Sequence, residues 1–176
     1  ATVVLPVWGP SQDLERCLDS VATFTDPGRH EVVVVGDGPL EPGPAALVAG
    51  SAGKRPGAAR LLVRPVRGGY PAAANTGLRE ARGDVALLNS DTEVTEGWLE
   101  KLGEAVRSRP GVASATPFSN NATLCSIPRP FAENAIPAGH TVASFARLVE
   151  ERSGRLFPEI PTGVGFCLYV TREAID

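Results

Sequence analysis

Val32-Val33-Val34-Val35-Gly36-Asp37-Gly38-Pro39 is the stretch on which the reading of the whole chain turns. Four consecutive β-branched residues leave no polar face, so the run suits a strand covered on both sides. Glycine and proline then stop it. Working outward, Thr2-Val3-Val4-Leu5-Pro6-Val7 is another run of the same kind, and 60–63 and 85–88 are two more. Helical patterns separate them. Ser11 is a good N-cap, with Asp13 and Glu15 in the first turn and Leu14, Leu18 and Val21 on one face. An Ala-rich helix is expected over 42–51, a second over 70–82 ended by Gly83, and a third over 98–109 capped by Thr95 or Glu96. A fifth strand is expected over 112–116. Short, fully apolar strands alternating with helices predict an α/β fold, a mostly parallel sheet with helices on both faces.

The character changes after Thr116. Residues 117–137 are irregular, with Asn120-Asn121 and prolines at 117, 128, 130 and 137. A helix is expected over 141–152, with Val142, Phe145, Leu148 and Val149 on its apolar side and Gly154 ending it. A strand is expected over 163–170. The chain thus divides at 116, and 172–176 reads as the opening of a helix with no stop signal.

Composition excludes several classes. The chain has 176 residues, 43% of them hydrophobic, which is ample for a core. Its net charge of −3 comes without a clustered basic run, so a nucleic-acid partner is not expected. Cys17, Cys125 and Cys167 lie far apart, with no C-x-x-C pair, which argues against a zinc ribbon or a thioredoxin-type site. They suit small core residues in a reducing cytoplasm. No apolar run approaches the ~18 residues of a membrane span, and no signal peptide is visible. His30 and His140 stand without a partner pattern and read as surface or structural.

In parallel sheets ligands bind beyond the carboxyl ends of the strands. Those ends are Pro6-Val7-Trp8, Gly36-Asp37-Gly38 and Asn89-Ser90-Asp91. A carboxylate such as Asp37 can accept from a ring N–H or from ribose hydroxyls, and its glycines let a planar base approach; a simple turn Asp is the plainer reading. A diphosphate leaving group needs a hard cation, for which one strand-end Asp is a sufficient protein anchor. Asp91 fits that role, or it belongs to a solvated loop that caps the next helix. Gly68-Gly69-Tyr70-Pro71-Ala72-Ala73-Ala74-Asn75 is a glycine turn running into a small-residue helix that can lie close to a ligand or merely pack tightly.

Four elements occur in order: Val4-Leu5-Pro6-Val7-Trp8, Val35-Gly36-Asp37-Gly38, Gly69-Tyr70-x4-Asn75-x-Gly77, and Gly83-Asp84-x4-Asn89-Ser90-Asp91. Together they resemble family 2 glycosyltransferases of the GT-A fold, over nearly the whole chain. Pro161-Thr162-Gly163-Val164-Gly165-Phe166 resembles the Thr-Gly segment before that family's acceptor-side strand. The resemblance implies a Rossmann-like nucleotide-binding half over 1–116 and the start of an acceptor-side region over 117–176. It implies a donor-binding set of Pro6, Val7, Trp8, Asp37, Gly38, Gly69, Asn75, Asn89, Ser90 and Asp91, with Asp91 contacting Mg²⁺ or Mn²⁺. It places Asn120, Asn121, Thr162 and Gly163 on the acceptor side.

The implied reaction is inverting transfer from a nucleoside-diphosphate sugar to a glycan, lipid-linked or small-molecule acceptor, a chemistry of cell-envelope polysaccharide synthesis. Three departures stand out. Gly36 replaces the first Asp of the usual pair, Pro39 stands where Ser is usual, and Asn89 replaces the first Asp of the D-x-D element. Inverting transfer also needs a carboxylate base. In similar sequences it lies in an acidic element C-terminal to the Thr-Gly strand. Glu173 and Asp176 are the only acids after Gly163 and suit a solvated helix face, so the base is expected beyond Asp176 and this stretch alone is expected to be inactive. A dinucleotide-binding oxidoreductase fails on spacing, because Glu41 stands where the third glycine belongs. A sugar nucleotidyltransferase would need a basic residue in Gly9-Pro10-Ser11-Gln12. A GT-A-like module that binds without turnover is the remaining alternative.

Overall fold

The computed structural model describes residues 1–9, 12–54 and 59–176, the side chains of 51–54 excepted. Its strands are β1 (Thr2–Val7), β2 (Glu31–Gly36), β3 (Arg60–Val63), β4 (Val85–Leu88), β5 (Ser114–Ala115) and β6 (Cys167–Val170). Its α-helices are α1 (Leu14–Phe24), α2 (Pro42–Lys54), α3 (Tyr70–Glu80), α4 (Trp98–Arg107), α5 (Val142–Arg152) and α6 (Arg172–Ile175). One sheet runs β3-β2-β1-β4-β6-β5. The first four strands are mutually parallel, and β6 lies antiparallel to both β4 and β5.

Alternate residues of each inner strand face opposite layers. Val3, Leu5, Val7, Val32, Val34, Ala86 and Leu88 pack with α1, α4 and Val48 of α2. Val4, Val33, Val35 and Val85 pack with Ala73 and Ala81, at and just past α3, while Ile175 of α6 lies against them. Helices therefore cover both faces, as the unbroken apolar runs require.

Several boundaries differ from expectation, each for a local reason. The Ser11 cap lies outside the described residues; α1 starts after Asp13, which makes no side-chain cap bond. Helix α4 is entered through Gly97 in the left-handed region, with φ 67°, rather than capped by Thr95 or Glu96. Trp98 is pinned there by its indole N–H, which donates to Thr25 Oγ1 at 3.3 Å. Helix α3 stops at Glu80 because Ala81 turns extended and is buried. The expected strands 112–116 and 163–170 shrink to Ser114–Ala115 and Cys167–Val170. Paired residues end there, and before β6 Phe166 O accepts from Asn89 N–H at the end of β4, while Val164 N–H donates to Thr116 Oγ1 at 3.1 Å in the loop after β5. Thr141 caps α5 in a capping box with Ser144, and the apolar side of that helix is half-buried rather than buried.

Helix α3 lies very close to the sheet. A Cβ at Gly77 would sit 2.2 Å from Val4 Cγ1, in the fully buried centre of β1. Gly77→Ala is therefore expected to destabilise by about 1–3 kcal/mol in urea unfolding. Gly83→Ala, whose added Cβ meets nothing within 4 Å, serves as the near-neutral control.

Candidate functional site

The strand order reverses between β1 and β4, since β2 and β3 lie to one side of β1 and later strands to the other. That reversal opens a crevice at the carboxyl ends of these strands. A cleft of about 180 Å³ lies there, lined by Pro6, Val7, Trp8, Asp37, Tyr70, Ala73, Asn89, Ser90 and Asp91. All three strand-end segments singled out in the sequence meet in it. Tyr70 and Ala73 belong to the small-residue helix expected to lie close to a ligand, though not to the donor-binding set the resemblance implies. They follow from the helical repeat, since i and i+3 of α3 share a face.

Asp37 is the most constrained polar group in this cleft, its side chain only 3% exposed. Its Oδ1 accepts from the Arg64 guanidinium and from Gly68 N–H at 2.9 Å; its Oδ2 accepts from Gly69 N–H at 2.7 Å. Burial by itself would raise this carboxyl. The two amides and the arginine outweigh it and hold it below the usual carboxylate range. A carboxylate offers about four acceptor positions, so one remains on Oδ2. Gly69 is the N-cap of α3 and provides no side-chain cap; the Asp37 carboxylate faces the helix's positive end in its stead. Arg64 was not anticipated. It lies one residue beyond β3, and only the pairing of β3 with β2 brings it to Asp37.

Gly38, with φ 90°, is buried beneath the loop that follows β3, where an added Cβ would lie 3.2 Å from the backbone nitrogen of Arg67. Gly36 has a packing reason for lacking the usual Asp: a Cβ there would meet Leu40 Cγ at 3.0 Å. Asn75 is exposed on the far side of α3 and does not line the cleft. Ala73, Ala74 and Gly77 take the sheet-facing positions of α3 instead.

The last strand end is braced from below. Asn89 N–H donates to Phe166 O at 2.8 Å, and Cys17 Sγ approaches Asn89 O at 3.6 Å. Burial pushes the Cys17 and Cys167 thiols up to about 12, so they are inert packing groups. Asp91 is exposed at the mouth of the cleft. Among the described residues no group of three or more His, Cys, Asp and Glu could hold a metal. One carboxylate with the neighbouring Ser90 and Asn89 oxygens suits a hard cation that brings waters and phosphate oxygens with it.

None of Asn120, Asn121, Thr162 and Gly163 lines the cleft. Asn120 is half of a structural lock, its Nδ2 donating to Asn134 O at 3.0 Å. Buried Asn134 donates in turn to the carbonyls of Asn120, Arg129 and Ala132. Thr162 is exposed, and Gly163 packs where a Cβ would meet Leu168 Cδ1 at 2.4 Å. His30 bonds to Glu100 at 3.1 Å, and His140 packs edge-on to Phe145, both away from the cleft. Among the described residues no helix is long and apolar enough to cross a membrane.

Asp37→Asn would leave Arg64 without its counter-charge and is expected to cost about 3 kcal/mol at pH 7. Because the folded-state carboxyl is lowered, its contribution is fully present above the unfolded value of about 3.9 and fades as pH falls through the folded one. Urea midpoints of the two proteins should therefore differ at pH 7 and converge below about pH 4.

The chain is similar to several proteins in sequence or in fold. Glycosyltransferase AglE of Haloferax volcanii is 28% identical over 102 residues, covering 57% of this chain and 33% of AglE. The mannosyltransferase PcManGT of Pyrobaculum calidifontis, solved with GDP-Man and Mn²⁺, superposes with a TM-score of 0.57 at 26% identity over 67% of this chain and 35% of that one. S. aureus TarS 1–349 with UDP-GlcNAc shares the fold, with a TM-score of 0.51 at 20% identity, over 61% of this chain and 31% of its own. The chain thus spans about a third of the length of these relatives. The Glycosyl transferase family 2 model matches residues 2–176, so the chain belongs to that family.

Proposed function

We propose that the cleft holds a nucleoside-diphosphate sugar and that the protein serves its inverting transfer to an acceptor hydroxyl. The supporting observation is the convergence of Pro6-Val7-Trp8, Asp37 and Asn89-Ser90-Asp91 in one crevice at the strand reversal. In this reading 1–116 is the donor-binding part and 117–176 begins the acceptor side, where Asn120, Asn121, Thr162 and Gly163 shape the approach. The acceptor is a glycan, a lipid-linked sugar or a small molecule, as in cell-envelope polysaccharide assembly.

Pro6, Val7 and Trp8 wall the nucleoside end, and the free Oδ2 position of Asp37 accepts from a base N–H or a ribose hydroxyl. Gly38 and Gly69 keep the backbone low beside it. Asn89, Ser90 and Asp91 face the diphosphate, with Asp91 anchoring Mg²⁺ or Mn²⁺. A bound divalent ion neutralises charge on the departing diphosphate. That PcManGT was solved with GDP-Man and Mn²⁺ supports this assignment. Asn75, exposed on α3, would reach a ligand only if the ligand extended over that helix.

The carboxylates lining the cleft are Asp37 and Asp91. Asp37 is engaged by Arg64 and two amides, and Asp91 is assigned to the cation, so neither serves as the base. Asp176 is ion-paired with Arg172 on an exposed helix end. This chain is therefore expected to bind donor without releasing nucleoside diphosphate from it, as a coupled phosphate assay would read.

Thermal shifts with UDP, GDP, dTDP and CDP, each with and without Mn²⁺, test the site. A ligand at 100 times its Kd stabilises the folded state by about 2.7 kcal/mol. The expected result is a Mn²⁺-dependent rise with one nucleotide, lost in Asp91→Ala. No rise with any nucleotide would sink the donor assignment.

A further inference from the structure

Resting on the donor reading above, we propose that Arg67 is a donor-positioning residue: its guanidinium fixes the Trp8 ring as a rigid wall of the cleft. Trp8 follows β1 directly, lines the cleft and is 60% exposed, an unusual position for so large an apolar ring. The Arg67 guanidinium carbon lies 3.9 Å from the ring centroid, in stacking contact. Arg67 is not among the residues that line the cleft. The indole surface that lines the cleft is thus left to a ligand while the guanidinium covers the ring elsewhere.

The arginine is itself held by fixed backbone. Arg64, three residues before it, and Gly68, directly after it, both bond to Asp37. Between those anchors the Arg67 backbone rests on Gly38, where an added Cβ would come within 3.2 Å of its nitrogen. The same buried carboxylate thus sets the cleft floor and the position of the residue that braces its wall. An exposed tryptophan loses rotamer freedom when a flat ring stacks on it, and a ring already braced loses less. The brace depends on a planar cation. A lysine would keep the charge but could not lie flat on the indole.

The test uses Trp8 as its own reporter. Trp98, the other tryptophan, is buried and bonded to Thr25, so it supplies a constant background that Trp8→Phe isolates. In the ligand-free protein, Arg67→Ala and Arg67→Lys should both lower Trp8 fluorescence anisotropy. Unchanged anisotropy in Arg67→Ala would overturn the brace, whatever the cleft binds. Titration with UDP, GDP, dTDP and CDP, in Mn²⁺, should then show the Kd of the nucleotide that binds weakened about fivefold in both variants. Wild-type affinity in Arg67→Ala overturns the proposal, and so does wild-type affinity in Arg67→Lys alone, since charge would then suffice. Failure of the wild type to bind any of the four nucleotides, with the anisotropy difference intact, would strike the donor reading and the positioning role together.

Discussion

The buried carboxylate of Asp37 is the contact on which the cleft depends. A charge with 3% side-chain exposure is tolerable only when its oxygens are occupied, and here Arg64, Gly68 and Gly69 occupy them. Those three donors come from one connection, the loop between β3 and α3. Satisfying the charge therefore fastens that loop across the end of β2, and the carboxylate faces the start of α3, whose N-cap Gly69 has no side chain to cap it. The strand end, the loop and the helix start become one unit, and Trp8, Tyr70 and Ala73 take their places around it.

The second constraint is the closeness of α3 to β1. Ala73, Ala74 and Gly77 are the buried positions of that helix, and Gly77 leaves no room for even one carbon against Val4. Small residues on a helix can serve packing or ligand approach, and here they serve both at different depths. Gly77 sets the distance to the sheet, and Ala73, one turn nearer the helix start, lines the cleft. Cys17, against Asn89 O, and Cys167, opposite Leu88, do similar packing work in the core, their thiols kept neutral by burial.

The region after β5 follows a different logic. It has little regular structure, yet buried Asn134 collects backbone carbonyls from Asn120, Arg129 and Ala132, and Ser126 accepts from Ala122 N–H. Polar side chains replace a sheet ladder there, which satisfies buried backbone groups that no strand partner can reach. Asn120, read from the sequence as an acceptor-facing residue, spends its side-chain amide on this lock.

Sequence alone determined the α/β layering, three inner strands to the residue or within one, and the segments that end them. Those features are local: an apolar run of four valines is doubly covered wherever it lies in a sheet, and Gly-Asp-Gly ends it. The family was legible for the same reason, since its motifs are strand ends and helix starts at fixed spacing. Tertiary structure alone decided which strand ends share a crevice, because the order β3-β2-β1-β4 is a matter of long-range pairing. It likewise decided that Arg64 would neutralise Asp37, that Arg67 would cover Trp8, and that Asn75 would face away from the sheet. Each of these joins residues far apart in the chain or depends on the rotation of a helix against its neighbours, and neither is written in any local pattern.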